Sequence, residues 1–269
     1  MSNQTVAAEF LSETKDGVLT LTLNRPDVLN ALTGAMLKGL TDAVTKAGRD
    51  KGVRIIVLAA AGRAFSAGAD LGDVKKRQAT GSFEHGDELR KTFNPLILAI
   101  RRVEKPVICA INGTAAGAGA SLALACDLKI CAEEAKFINA FAKVGLIPDS
   151  GMTWMLPRAL GISLALEYAW LAKPISSETA LRFGLVNRVV PAAELSVAVS
   201  ETVAALLAVP PLALAFTKRA MNRSLESSSS LEDQMEAEAQ LQSFLGKTKD
   251  HAEGIASFLE KRPAVFKGE

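Results

Sequence analysis

Histidine is nearly absent from this chain: His85 and His251 are the only two in 269 residues. Both sit among charged neighbours, His85 beside Glu84, Asp87 and Glu88, and His251 after Asp250. A histidine-centred triad or metal cluster has little to be built from, and no metal is expected. The three cysteines, Cys109, Cys126 and Cys131, are odd in number and lack C-x-x-C spacing, so neither a disulfide framework nor a zinc knuckle is indicated. They read as buried thiols in a reducing compartment. Aromatic residues make up only 5%, and 31 basic against 29 acidic side chains leave a formal charge of only +2. Such a chain offers no basic stripe for a phosphate backbone and few rings for stacking bases, so no nucleic-acid partner is expected. The opening MSNQTVAAEF has no positive stretch followed by an apolar run, which predicts no signal peptide and a cytoplasmic location.

What is present is a large apolar fraction, 49%, in a chain long enough to bury a full core. Alternation over Val18 to Leu23 predicts a strand, and apolar spacing from Thr33 to Arg49 predicts a helix. Val53 to Ala59 and Pro106 to Asn112 read as buried strands, with Asn94 to Val103 helical between them. Asp127 to Ala132 and Lys136 to Asn139 are shorter strand candidates, and helical signals take over from Met152. The order strand, helix, strand, loop, helix, strand points to an α/β class. In the Ser227 to Ser230 run, a serine before Leu231, Glu232 and Asp233 is read as a helix N-cap rather than a linker. The uncharged stretch Pro106 to Cys126 is long enough to span a bilayer, but Asn112 and several glycines interrupt it. It is read as a strand, a glycine-rich turn and a small-residue helix, with no membrane partner expected. Its Gly117 and Gly119 do not extend to a dinucleotide fingerprint, because Leu122 occupies the third small position.

Two segments share one design: a strand, a turn of small residues, then a helix start. They are Ala64 to Asp70 and Gly113 to Ala120. Small side chains let a ligand approach the backbone, and the first N–H groups of a helix have no internal partner. Facing one another, two such turns would make an oxyanion hole from main-chain donors. Close helix-to-sheet packing explains small residues equally well, and Asp70 by itself reads as a cap. Asp149, in Gly145 to Gly151, lies between an apolar turn and a helix start. Two readings stand: an N-cap, or a catalytic base whose pKa is raised by an apolar setting.

Together these features resemble the enoyl-CoA hydratase/isomerase (crotonase) superfamily, from about Leu19 to Lys267. Leu23 to Leu32 (LNRPDVLNAL) is similar to its CoA-binding N-terminal motif, Ala64 to Leu71 and Lys105 to Asp127 to its two oxyanion segments, and Phe258 to Arg262 to its C-terminal signature. The resemblance implies an α/β crotonase-like spiral of ββα repeats over residues 1–205 and a helical, trimerising C-terminal region over 206–269. It implies an acyl-CoA thioester as substrate, no separate cofactor, and a homotrimer or dimer of trimers. It makes the N–H groups of Ala69 and Ala118 the donors to a thioester carbonyl. Arg25, Val28 and Asn30, then Ala67, Gly68, Asp70 and Leu71, then Gly117 and Phe141, and finally Phe258 and Lys261 become CoA-ester contacts. The family's hydratases carry two catalytic glutamates, and the corresponding positions here are Ser121 and Phe141. That leaves Asp149 as the candidate base and points to isomerisation. Asn94 stands where a dehalogenating branch uses histidine. Phe93 to Leu96, Ala115 to Ala120 and Gly145 to Asp149 are most similar to the ring-epoxide acyl-CoA isomerases of phenylacetate degradation. The polar stretch 73–91, with Gly81 and Gly86 as hinges, is open to two readings, a lid over an acyl pocket or a solvated loop. Phe137, Phe141 and Trp154 are apolar pocket candidates whose facing the sequence leaves open.

Overall fold

In the computed structural model, which describes residues 8–79, 81, 84–226 and 230–269, ten strands form two sheets. They are β1 (Phe10–Lys15), β2 (Val18–Leu23), β3 (Ile55–Ala60), β4 (Ala64–Ser66), β5 (Val107–Ile111), β6 (Thr114–Ala116), β7 (Leu128–Ala132), β8 (Lys136–Ile138), β9 (Pro174–Ser176) and β10 (Arg188–Val190). The large sheet runs β1-β2-β3-β5-β7-β10 and the small one β4-β6-β8-β9. The helices are α1 (Gly34–Arg49), α2 (Leu71–Gln78), α3 (His85–Glu88), α4 (Asn94–Arg102), α5 (Ala118–Ala125), α6 (Met152–Leu160), α7 (Ile162–Leu171), α8 (Ser177–Arg182), α9 (Leu195–Leu207), α10 (Pro211–Glu226), α11 (Leu231–Leu245) and α12 (Lys249–Glu260).

The chain spirals because each repeat places one strand in the large sheet, the next in the small sheet, and then a helix. β3-β4, β5-β6 and β7-β8 all follow this order. In β2 the side chains alternate as the sequence predicts, with Leu19, Leu21 and Leu23 buried. β5 is buried at every position, as a central parallel strand covered on both faces requires. The main core lies between the large sheet, α1, α4 and α5, and a second cluster on the other face of that sheet is covered by α9. Cys109, Cys126 and Cys131 are all buried and free. Thr33 caps α1 by accepting from the Met36 N–H, and Ser230 with Asp233 forms a capping box on α11. Ser227 to Ser229 lie outside the described residues.

The stretch 106–126 divides into β5, β6 and α5, with every residue of α5 buried. Among the described residues no single helix is long and apolar enough to cross a membrane. Gly119 explains the small-residue bias of α5. A Cβ there would lie 2.6 Å from Ser66 Cβ and 2.8 Å from Ser66 O, so helix and strand touch backbone to backbone. In an open helix Gly→Ala gains about 1 kcal/mol of propensity. At this position overpacking of about 1–3 kcal/mol reverses the sign. Gly119→Ala is therefore expected to lower the urea midpoint, and an unchanged or raised midpoint would refute the close approach.

The polar stretch 73–91 is largely helical, which corrects the loop reading. α2 covers Leu71–Gln78, and α3 continues through a π-helical turn, Leu89–Phe93, into α4. Glu84 caps this run by accepting from the Gly86 and Asp87 N–H groups, and Asp87 pairs with Arg90 and Lys91 at helical spacing. Gly86 is thus part of a helix and not a hinge, whereas Gly81 keeps a positive φ of 74°. Residues 80, 82 and 83 lie outside the described residues.

The C-terminal helices are moored through α10. Lys218 Nζ donates to Ile100 O, Lys105 O and Asp127 Oδ2 at 2.8, 3.1 and 2.7 Å. α11 packs on α10 through Phe216 and Phe244, with ring centroids 5.4 Å apart. α12 is tied to the chain end, where Asp250 accepts from the Lys267 and Gly268 N–H groups.

Candidate active site

The first small-residue turn leaves β4 and is stitched to the segment after β2. Leu29 and Asn30 both adopt φ of 53°, reversing the chain so that it runs beside Ala67 to Asp70. Buried Asn30 accepts from the Arg25 N–H and donates to Ala61 O and Ala64 O, so its amide is fully used. One N–H group of this turn stands apart from its neighbours. Ala67 donates to Leu29 O, Gly68 to Ser66 Oγ and Asp70 to Leu32 O. Ala69, between them, donates to no acceptor among the described residues.

The second turn leaves β6, which pairs with β4 in parallel, so both turns emerge at the same end of the small sheet. Gly117 takes φ 50° and ψ −127°, a conformation open to glycine, and donates to Ile138 O. Ala118 and Gly119 then open α5, and their N–H groups find no partner among the described residues. The two turns touch: a Cβ on Gly68 would lie 2.7 Å from Ala116 O and 3.3 Å from Ala118 N. Any side chain at Gly68 would therefore collide with the second turn. Phe141 closes the neighbouring side, its ring 4.0 Å from the place of a Cβ on Gly117.

Asp149 does not cap α6. The helix starts after Gly151, which adopts φ 78°, and no side chain caps it. The capping reading is corrected because the chain turns through Ser150 and Gly151, and the Asp149 carboxylate faces Ser150 instead. Ser150 Oγ donates to Asp149 Oδ1 at 2.8 Å, and Ser121 Oγ, on α5, donates to Asp149 O at 3.0 Å. Burial pushes the Asp149 carboxyl above the ordinary aspartate range, while the Ser150 hydrogen bond and the charge of His85 act the other way. Sequence reasoning missed both of these neighbours. Ser150 adjoins Asp149 in the chain, so adjacency was the available signal, whereas His85 is set against it by folding alone.

The remaining candidates divide. Arg25 is committed within the protein: it donates to Asp70 Oδ2 at 2.9 Å and Ala31 O at 2.6 Å, and pairs with Glu9 at 3.4 Å. Its guanidinium holds the Asp70 carboxyl below the usual range, while Asp70 Oδ1 caps α2 by accepting from Gly72 and Asp73 N–H. Arg25 and Asp70 therefore brace the first turn from both sides of Ala69. Val28 and Leu71 present exposed apolar side chains beside it. Phe137 is fully buried in the core, and Trp154 stacks under Arg158 at 3.9 Å. Phe258 is 83% exposed on α12, and no hydrogen bond or ion pair among the described residues joins it or Lys261 to this cluster. Among the described residues no group of three His, Cys, Asp or Glu side chains could hold a metal ion.

Comparison with known proteins identifies the family. A family model described as enoyl-CoA hydratase/isomerase matches residues 13–269. The 1,2-epoxyphenylacetyl-CoA isomerase of Escherichia coli K12 is 39% identical over 260 residues, 97% of this chain and 98% of that protein. A Rhodobacter capsulatus protein named "Probable enoyl-CoA hydratase" is 42% identical over 256 residues, 95% of this chain and 96% of that protein. The crystal structure of an enoyl-CoA hydratase from Mycobacterium smegmatis superposes with a TM-score of 0.89 at 33% identity, covering 96% of this chain and 99% of that one. By sequence, spiral architecture and the pairing of its two small-residue turns, this chain belongs to the enoyl-CoA hydratase/isomerase family.

Proposed function

We propose that the protein is an acyl-CoA isomerase that works with two main-chain donors and one carboxylate. The thioester oxygen accepts from the Ala69 and Ala118 N–H groups, which stabilises the negative charge that develops as an enolate. Asp149 removes a proton from C2 of a 3-enoyl thioester and returns it at C4, giving the conjugated 2-enoyl product. The observation that carries this reading is the half-buried Asp149, bonded at its carbonyl by Ser121, while neither Ser121 nor Phe141 can activate water. The likeness to the E. coli isomerase extends the proposal to 1,2-epoxyphenylacetyl-CoA, with the same donors holding the thioester during ring expansion. No separate cofactor enters, because coenzyme A is part of the substrate.

In this reading the CoA portion lies along Val28, Leu29 and Leu71, with Ala67, Gly68 and Gly117 lining its thioester end, while buried Asn30 shapes the turn from beneath rather than touching it. Phe258 and Lys261 are brought to it by a neighbouring copy in a homotrimer or dimer of trimers, consistent with their exposure on their own chain. The test supplies 3-hexenoyl-CoA, 2-hexenoyl-CoA and epoxyphenylacetyl-CoA separately to wild type and Asp149→Asn. Growth of conjugated-thioester absorbance from the 3-enoyl substrate, lost in the variant, is expected. Rapid hydration of 2-hexenoyl-CoA would instead favour the hydratase reading, which the Rhodobacter capsulatus relative supports.

A further inference from the structure

We infer that Ser150 and Ser121 are positioning residues for Asp149, one setting its protonation and the other its place. The inference rests on the reading of Asp149 as the proton-transfer group. Ser150 is buried, 3% exposed, and holds φ of 52°, a left-handed conformation uncommon for a residue with a Cβ. That conformation brings its hydroxyl to Asp149 Oδ1 at 2.8 Å. A hydroxyl donating to a carboxylate favours the charged form, as does the charge of His85 on α3, against the burial that disfavours it. The bond also occupies one oxygen only. Asp149 Oδ2 accepts no hydrogen bond among the described residues, so it is the atom left to take a proton.

Ser121 is wholly buried in the first turn of α5, the helix opened by Ala118. Its single hydroxyl proton goes to Asp149 O at 3.0 Å rather than to Gly117 O at 3.4 Å. One helical turn thus carries both an oxyanion donor and the clamp on the base. The spacing between the two is held by a bond that bridges 28 positions of sequence. A polar side chain with its hydrogen bond satisfied in an otherwise apolar helix is a rigid link, because the alternative is an unpaired buried hydroxyl.

The decisive measurement is the ¹³C NMR titration of the Asp149 carboxyl, identified as the signal absent from Asp149→Asn, in wild type, Ser150→Ala, Ser150→Gly and Ser121→Ala. Both Ser150 variants are expected to raise the midpoint by about one pH unit. Glycine tolerates the positive φ without strain, so its agreement with alanine excludes a folding artefact. Ser121→Ala is expected to leave the midpoint in place and to lower kcat for 3-hexenoyl-CoA about tenfold with KM unchanged, the mark of a misplaced base. In the Asp149→Asn background neither serine substitution should lower the residual rate further. An unmoved midpoint in both Ser150 variants, or an unchanged kcat in Ser121→Ala, would overturn the inference. Full activity in Asp149→Asn would overturn the underlying reading instead, whatever the serine titrations show.

Discussion

Asp149→Asn is expected to cost on the order of 10²- to 10⁴-fold in isomerisation rate and at the same time to raise the melting temperature. The rate loss follows from removing the proposed proton-transfer group, which Ser121 ties by its backbone to the helix that Ala118 opens. The stability gain follows from the pKa direction. Burial is the largest influence on Asp149 and raises its carboxyl above the ordinary value. The folded protein therefore binds more protons than the unfolded chain between the unfolded and folded pKa values. Stability accordingly falls as pH rises through that window, and the deficit persists at neutral pH. Asparagine keeps the shape without the charge and removes that cost. The Ser150 bond and the His85 charge offset part of it, so the gain is smaller than an isolated buried carboxylate would yield. Calorimetry at neutral and acidic pH checks the sign. The variant should lead at pH 7, and its lead should shrink as the wild-type carboxyl becomes protonated. A lower melting temperature at pH 7 would show that Asp149 contributes to the fold rather than being tolerated by it.

Ala118→Pro should reduce kcat on the order of 10²- to 10³-fold with little change in melting temperature. Proline is favoured at the first position of a helix because the N–H it lacks has no helical partner there. Ala118 is that position in α5, and its N–H donates to nothing in the protein among the described residues. The preceding residue would ordinarily resist, since proline clashes with the Cβ before it. Gly117 has none, and its φ of 50° and ψ of −127° mirror the extended region that precedes proline in other residues. The substitution thus deletes one donor while leaving the fold its full set of bonds. Stopped-flow kinetics beside far-ultraviolet circular dichroism tests it. A variant that folds and turns over at the wild-type rate would remove Ala118 from the oxyanion role. A companion loss at Ala69 could not be made as cleanly, because Asp70 beyond it both caps α2 and pairs with Arg25.

Several features were legible in the chain because they depend on neighbours a few residues apart. The alternation of β2, the Ser230 cap and the uninterrupted apolar run of β5 each carry their own signal. Others had none. β9 is three residues long, too short for any period to show. β1 is a mostly exposed edge strand whose polar composition imitates a loop. The 73–91 stretch looked like a loop because its charges mask a helix whose apolar contacts come from Leu89 and Phe93, at the far end. Arg25 was expected as a CoA contact until folding delivered Asp70 and Glu9 to it.

The small residues of 64–70 and 113–120 already allowed something to approach the backbone closely, since no bulky side chain stands in the way. Which N–H groups stay unpaired was decided by the parallel pairing of β4 with β6 and the stitching of Leu29 and Leu32 to the first turn. The scarcity of histidine likewise left a carboxylate as the titratable group of any site. Whether Asp149 would be a helix cap or a half-buried acid depended on Gly151 taking the cap position and on Ser121 reaching it across the fold. Local pattern constrains which groups are available. Only long-range packing sets their solvation and partners, and those determine which backbone donors are free and where a carboxyl titrates.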